Sequence, residues 1–221
     1  GTTYRMFRSN GLTPEQRAQA MELLKAYRAC TVKPVDHLAV RANARRRSAV
    51  PNPVSALKMV RESLWTDAGK FDLPLCQAIR RAVCARRTSI VNRWLSRVQL
   101  NHVPDGQPFF FFPLHYEPEI SLATQGRGWT RQLELIKVIS AALPIDRWLY
   151  VKEHPSMPSG IRPMGFYDEL ARLSRVRILR QDLTSDDIVP RAEAVLTITG
   201  TAGWEAMMFG RPVILFGHSF Y

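Results

Sequence analysis

The chain has little of what secreted or membrane-spanning proteins rely on. Its three cysteines, Cys30, Cys76 and Cys84, lie far apart with no Cys-x-x-Cys spacing. An odd, scattered set argues against a disulfide framework or a zinc site and fits a reducing compartment. No stretch approaches the roughly 18 uninterrupted apolar residues that a membrane span needs. The opening Gly1-Thr2-Thr3-Tyr4-Arg5 lacks the apolar core of a secretion signal. The expectation is a cytoplasmic protein, with no metal site or cofactor signalled.

Acidic residues are scarce in one half only. Residues 1–100 hold 19 Lys and Arg against 6 Asp and Glu, a net of +13, while residues 101–221 hold 12 against 13, a net of −1. The whole basic excess therefore lies in one region, which suggests two regions with different tasks. Strands are scarce in the same half. A weak candidate at Leu38–Val40 aside, none is convincing before His102. Helices are expected instead over Thr13–Arg28, Val54–Trp65 and Leu73–Arg97. In the first, Thr13 and Gln16 form a capping box around Pro14 at the first helical position. Residues 1–104 thus read as a basic, mainly helical region.

After the Pro104-Asp105-Gly106 turn the texture changes. Phe109-Phe110-Phe111-Phe112-Pro113 has no polar alternation, as expected of a strand buried on both faces of a parallel sheet. Further strands are expected at Trp148–Lys152, Val176–Leu179, Ala194–Thr199 and Val213–Phe216. Between them, helices are expected near Thr130–Leu143, Gly165–Leu173, Asp186–Arg191 and Ala202–Phe209. Strands joined by helical crossovers predict an α/β fold with a doubly wound parallel sheet over residues 105–221.

In such sheets ligands bind beyond the carboxyl ends of the strands. The polar residues of this chain gather at those positions. His115, Glu117 and Glu119 follow the first strand, Lys152, His154 and Pro155 end and follow the second, and Thr199-Gly200-Thr201-Ala202-Gly203 with Glu205 follow the fourth. The last segment reads as an anion cradle of backbone N–H groups and threonine hydroxyls, with Gly200 and Gly203 allowing close approach and Glu205 placed for ribose hydroxyls. The bland alternative is that Thr201 caps a helix and Glu205 complements its dipole. His154, held extended by the following proline, suits phosphate binding or proton donation, with Lys152 nearby. A loop histidine taken alone is more often an ordinary surface residue. Glu117 and Glu119 are paired carboxylates of which one suits a general base; two solvated acids in a turn is the alternative. Convergence on one sheet edge carries the weight that no single signal has.

Three segments together, Leu114-His115-Tyr116-Glu117-Pro118-Glu119, Lys152-Glu153-His154-Pro155 and Thr197-Ile198-Thr199-Gly200-Thr201-Ala202-Gly203-Trp204-Glu205-Ala206, resemble bacterial capsule polysaccharide biosynthesis proteins. That group includes Kdo transferases, GT-B-type glycosyltransferases with a CMP-linked donor. The resemblance covers about residues 105–221 and implies a Rossmann-like nucleotide-sugar-binding domain, the C-terminal half of a GT-B-type fold. It implies that His154 and Pro155 match a His-Pro motif at the nucleotide phosphate, and that His115 to Glu119 match a Gln-Pro-Glu-type motif near the sugar. Glu119 falls on the acidic position, and Glu117 stands where glutamine is expected. Thr199, Thr201 and Glu205 match the loop and acid that hold the nucleotide. Glu119 and His154 are then the catalytic candidates. The helical first hundred residues and the stop soon after the last strand depart from a full GT-B enzyme, so a fragment or reduced member is expected.

The implied partners are a nucleotide-sugar donor, CMP-linked in preference to UDP-linked, and a polysaccharide or glycolipid acceptor. Alternatives are a UDP-sugar epimerase of the same fold and a non-catalytic basic module that binds membrane or nucleic acid. Arg45-Arg46-Arg47, Arg80-Arg81 and Arg86-Arg87 suit an anionic membrane surface, an acidic glycan or simply solvent. Nucleic acid is disfavoured by the lack of a binding motif or interleaved aromatics. The preferred functional reading places the protein peripherally at the inner membrane.

Overall fold

The computed structural model describes residues 13–29, 74–157 and 162–221. The helix expected at Val54–Trp65, the weak strand at Leu38–Val40 and the Arg45-Arg46-Arg47 run lie outside them.

Helix α1 spans Pro14–Arg28 and starts as its sequence predicts. Gln16 N–H donates to Thr13 Oγ1 at 3.2 Å and Thr13 N–H returns the bond to Gln16 Oε1 at 3.1 Å, satisfying two donors that a bare helix start leaves unpaired. Helix α2 spans Pro74–Val98 and runs directly into a strand, β1, at Gln99–Leu100. That strand corrects the expectation of none before His102. Two residues carry no readable period; partners set their state, since Gln99 and Leu100 pair in parallel with Ile178 and Leu179.

The chain then alternates through β2 (Phe109–Pro113), α3 (Ile120–Gln125), α4 (Gln132–Ala142), β3 (Trp148–Lys152), α5 (Met164–Arg172), β4 (Val176–Leu179), α6 (Ser185–Ile188) with a 3₁₀ turn at Val189–Arg191, β5 (Ala194–Thr197), α7 (Ala202–Met208) and β6 (Val213–Leu215). The short α3 gave no signal in the sequence: Glu119 at its N-cap makes no side-chain capping bond. Among the described residues no helix is long and apolar enough to cross a membrane.

All six strands lie parallel in the order β1-β4-β3-β2-β5-β6. The four consecutive phenylalanines explain why the sheet needs cover on both sides. Phe112 faces a core with Leu135, Ile136, Leu149, Val151, Ile178 and Leu196, whereas Phe109 and Phe111 face Tyr150, Ile188, Val189, Val195 and Ala206 on the other side. Alternation of period two thus sends one apolar run into two cores. A fully buried Phe contributes about 1.5–3 kcal/mol relative to leaving it exposed.

Strand order fixes where a ligand can enter. From β2 the chain moves outward through β3 to β4, then crosses back to lay down β5 and β6 on the far side of β2. The connections after β2 and β5 therefore leave the sheet in opposite directions, and a crevice opens between them.

Candidate functional site

That crevice is a cleft of about 500 Å³ lined, among others, by His115 and Glu119 from the β2 side, His154 from the β3 side, and Thr199, Gly200 and Thr201 from the β5 side. Six of the residues expected at the site thus share one wall-to-wall space.

The β5 wall is neutral. Beyond Thr197 the backbone turns through Gly200, whose N–H donates to Thr197 Oγ1 at 3.2 Å. Thr201 precedes α7 but makes no side-chain capping bond, so the bland reading of that residue does not hold. Among the described residues no partner is found for the N–H groups of Thr201 or Ala202. The glycines differ from their expected use. A Cβ on Gly200 would lie 2.9 Å from Thr197 Oγ1 and 3.2 Å from His115 Cε1, and one on Gly203 would collide with the Tyr221 hydroxyl. The close approach they permit is to protein atoms. Tyr221 in turn donates to the Gly200 carbonyl at 2.6 Å, bracing the loop.

The opposite wall is built on charge. Arg162, 2 % exposed, reaches Glu117 Oε2 through Nη1 at 2.6 Å and Glu153 Oε2 through Nε at 2.8 Å. Its Nη2 donates to the His115 carbonyl at 2.5 Å. Burial works against this guanidinium, but the carboxylates of Glu153 and Glu117 outweigh it and raise its pKa. Glu153 also accepts from the Tyr167 hydroxyl at 2.7 Å and from the His154 N–H at 2.9 Å. Burial, reinforced by the Glu153 charge, pushes the Tyr167 phenol well up, so it serves as a donor. One buried cation therefore ties the loops after β2 and β3 together.

This network separates the two candidate carboxylates. Glu117 is committed to Arg162 and accepts from Gln132 Nε2, whereas Glu119 lines the cleft with its side chain 39 % exposed. Glutamate at the position where glutamine was expected has a physical reason in the Arg162 charge. His154 accepts the Ser156 N–H on Nδ1 at 3.1 Å, which in the neutral ring places the proton on Nε2. Its carbonyl takes Gln181 Nε2 at 2.6 Å, so both backbone and ring are oriented.

Five expected residues are not brought into the cleft lining, Glu117 on its Arg162 partner and four others. Lys152 is 3 % exposed and Glu205 6 % exposed, each with interactions inside the protein. Pro155 offers its carbonyl to Gln181 at 3.3 Å, and Gly203 packs under Tyr221. Sequence reading also missed Arg162 and Gln132, which with Gln181 just beyond β4 hold the loops, and Gln125, His218 and Ser219, which line the cleft. Arg162 had one available signal: three glutamates at two strand ends call for a buried cation. The remaining residues carried none. Among the described residues no group of three or more His, Cys, Asp or Glu could hold a metal ion.

Comparison with known proteins gives four likenesses. The family model described as capsule polysaccharide biosynthesis protein matches residues 73–221, beginning upstream of the resemblance expected from residue 105 and taking in α2 and β1. The capsule polysaccharide modification protein LipA of Neisseria meningitidis serogroup B is 30% identical over 73 residues, 33% of this chain and 10% of that protein. Among solved structures, the beta Kdo 2,7 transferase KpsC of Thermosulfurimonas dismutans is 27% identical with a TM-score of 0.44, covering 63% of this chain and 43% of its own. The UDP-GlcNAc 2-epimerase of Methanocaldococcus jannaschii is 17% identical with a TM-score of 0.37, over 64% and 36%. The chain thus spans one tenth of the matched LipA and under half of the KpsC chain.

Proposed function

This chain belongs to the capsule polysaccharide biosynthesis protein family, and from that premise we propose that it transfers a sugar from a nucleotide-activated donor to a polysaccharide or glycolipid acceptor. The donor is a CMP-linked, Kdo-like sugar. The observation that carries the reading is the cleft at the strand-order reversal, where Glu119, His154 and the Thr199–Ala202 backbone face one space.

The division of labour follows from the two walls. The donor phosphate lies against the neutral loop, whose Thr201 and Ala202 N–H groups are unpaired among the described residues. His154 adds the Nε2–H. Glu119 accepts the proton of the acceptor hydroxyl as that oxygen bonds to the anomeric carbon. The bond from the anomeric carbon to the phosphate oxygen breaks, and the electron pair leaves with the nucleotide. His154 and the loop amides stabilise the charge that grows on the phosphate. Glu119 and His154 are thus the catalytic pair.

Calorimetric titration of the chain with CMP, UDP and their sugar conjugates tests this. CMP binding weakened about tenfold or more in His154→Ala is expected, the size of one charge-assisted contact. UDP preference with sugar released in the absence of acceptor would turn the reading towards an epimerase, and no nucleotide binding at all would end it.

We also propose that α2 rests on anionic lipid. This helix carries Arg80, Arg81, Arg86, Arg87, Arg93 and Arg97 and no acidic residue. Arg86, Arg93 and Arg97 share its exposed face with Val83 and Ile90, 60% and 54% exposed. Basic side chains around exposed aliphatic ones suit an interfacial helix. Co-sedimentation with phosphatidylglycerol vesicles should fall sharply when the three arginines become glutamine; unchanged binding would remove the idea.

A further inference from the structure

The sequence assigned His115 to the ligand, but its atoms are engaged by the protein. Its backbone is fixed independently of its ring: the N–H donates to Gln132 Oε1 at 2.7 Å, and the carbonyl accepts from Arg162 Nη2 at 2.5 Å and Gln132 Nε2 at 3.3 Å. The ring, 5 % exposed, then spans the floor of the cleft. Nε2 lies 3.3 Å from the Ile198 N–H donor and 3.4 Å from that of Thr199. Thr197 Oγ1 lies 3.3 Å away and, having accepted the Gly200 N–H, keeps its own proton for Nε2.

Backbone amides only donate, so the group they face must be a lone pair. The imidazole proton therefore sits on Nδ1, and Nδ1 lies 3.4 Å from Glu119 Oε2. A second proton on Nε2 would point into two amide donors. The charged groups around the ring are Glu119, Glu117 and Arg162, and burial prevails over the two carboxylates in holding the ring below its ordinary pKa. Gly200 completes the fit, since the space of its missing Cβ is taken by the ring edge.

We propose that His115 is a positioning residue, a neutral strut that fastens the Glu119 carboxylate to the β5–α7 loop. It does not bind the donor itself. The inference rests on the reading of Glu119 as the base that faces the acceptor hydroxyl. Through Nδ1 it occupies Oε2, leaving Oε1 to take the acceptor proton. Through Nε2 it ties that carboxylate to the backbone against which the donor phosphate lies. The base and the leaving group, supplied from opposite walls, thereby keep one separation. Being uncharged, the strut performs this without setting a cation beside the carboxylate.

Two measurements on the full chain test the strut. Nitrogen-15 histidine spectra should show one neutral ring protonated on Nδ1, unchanged on acidification from about pH 7.5 to about pH 6 and lost in His115→Gln. A proton on Nε2, or titration at the ordinary histidine value, overturns the proposal whatever the chain catalyses. Turnover of the CMP-linked donor is the second. His115→Ala should lower kcat by about tenfold to a hundredfold while donor affinity stays within about twofold, the pattern of a lost general-base contribution. In the Glu119→Gln background the same change should have almost no further effect. Loss of donor affinity in step with kcat, or full additivity, would show that His115 holds the phosphate loop and not the carboxylate. A wild-type chain that turns over no donor defeats the transferase reading, while the spectra still decide the strut.

Discussion

The two walls of the cleft are made by opposite means. On the β2 and β3 side, Arg162, Glu153 and Tyr167 form a buried ionic knot, with the half-exposed Glu117 paired to it at the edge. On the β5 side the wall is backbone, threonine and glycine, held by Gly200 N–H on Thr197 and Tyr221 on Gly200. The charged wall suits groups that must exchange or direct protons, because its carboxylates are separated by partner into one that is spent and one that is open. The neutral wall suits a phosphate, which needs donors without a competing anion. Among the described residues, His115 is the one side chain that bonds to both.

The largest effect should come from breaking the charged wall. Arg162→Ala leaves two carboxylates facing each other across an empty guanidinium site, and removing one partner of a buried pair costs about 3–5 kcal/mol. Urea unfolding should register a loss of that order, and a loss under about 1 kcal/mol would mean that water reaches Glu153 far more freely than its 5 % exposure allows. The neutral wall should break more gently. Gly200→Ala places a methyl against Thr197 and the His115 ring, an overpacking of about 1–3 kcal/mol. Thermal unfolding measures it, and donor affinity should fall in the same variant as the loop shifts.

The smallest effect concerns the bridge between the walls. An unfolded chain carries His115 at the ordinary value of 6.5, and burial holds it lower in the fold. Below 6.5 the unfolded chain binds a proton that the folded one declines, so stability is complete above that value and declines as pH falls through it towards the folded value. The urea midpoint of the wild type should therefore drop between about pH 7 and about pH 5.5, and His115→Gln should drop less. Equal slopes in the two proteins would mean that other groups account for the dependence.

The sheet was legible because its signals are local and repeated. Four phenylalanines without polar relief announce burial on both faces, and β2, β3 and β4 begin and end where expected. β1 was not legible: two residues acquire strand geometry only by lying beside β4. The site divides along the same line. His115, Glu119, His154 and Thr199 to Thr201 were readable because strand ends in such a sheet point one way. The division between Glu117 and Glu119 was not, since it depends on Arg162, which is distant in sequence from both. Lys152 and Glu205 show the converse. Residue type and strand-end position suggested ligand contact, but the pleat and the helix turn carry both side chains into the interior.

The docking of α1 bears on how the molecule assembles. Arg28 Nε bonds the Met208 carbonyl at 2.8 Å, and Tyr27 meets Phe209 with ring centroids 5.2 Å apart. The first of these contacts joins positions 180 residues apart in sequence, whereas the strands of the sheet are joined by much shorter crossovers. Chain-closure entropy grows with the length of the loop closed, so the sheet can form before α1 has an anchor. During synthesis α1 emerges well before α7, the surface that receives it. Its capping box lets it begin as a helix without that surface. Helix α1 therefore joins the fold after the sheet, and its amides should exchange with solvent before those of the sheet.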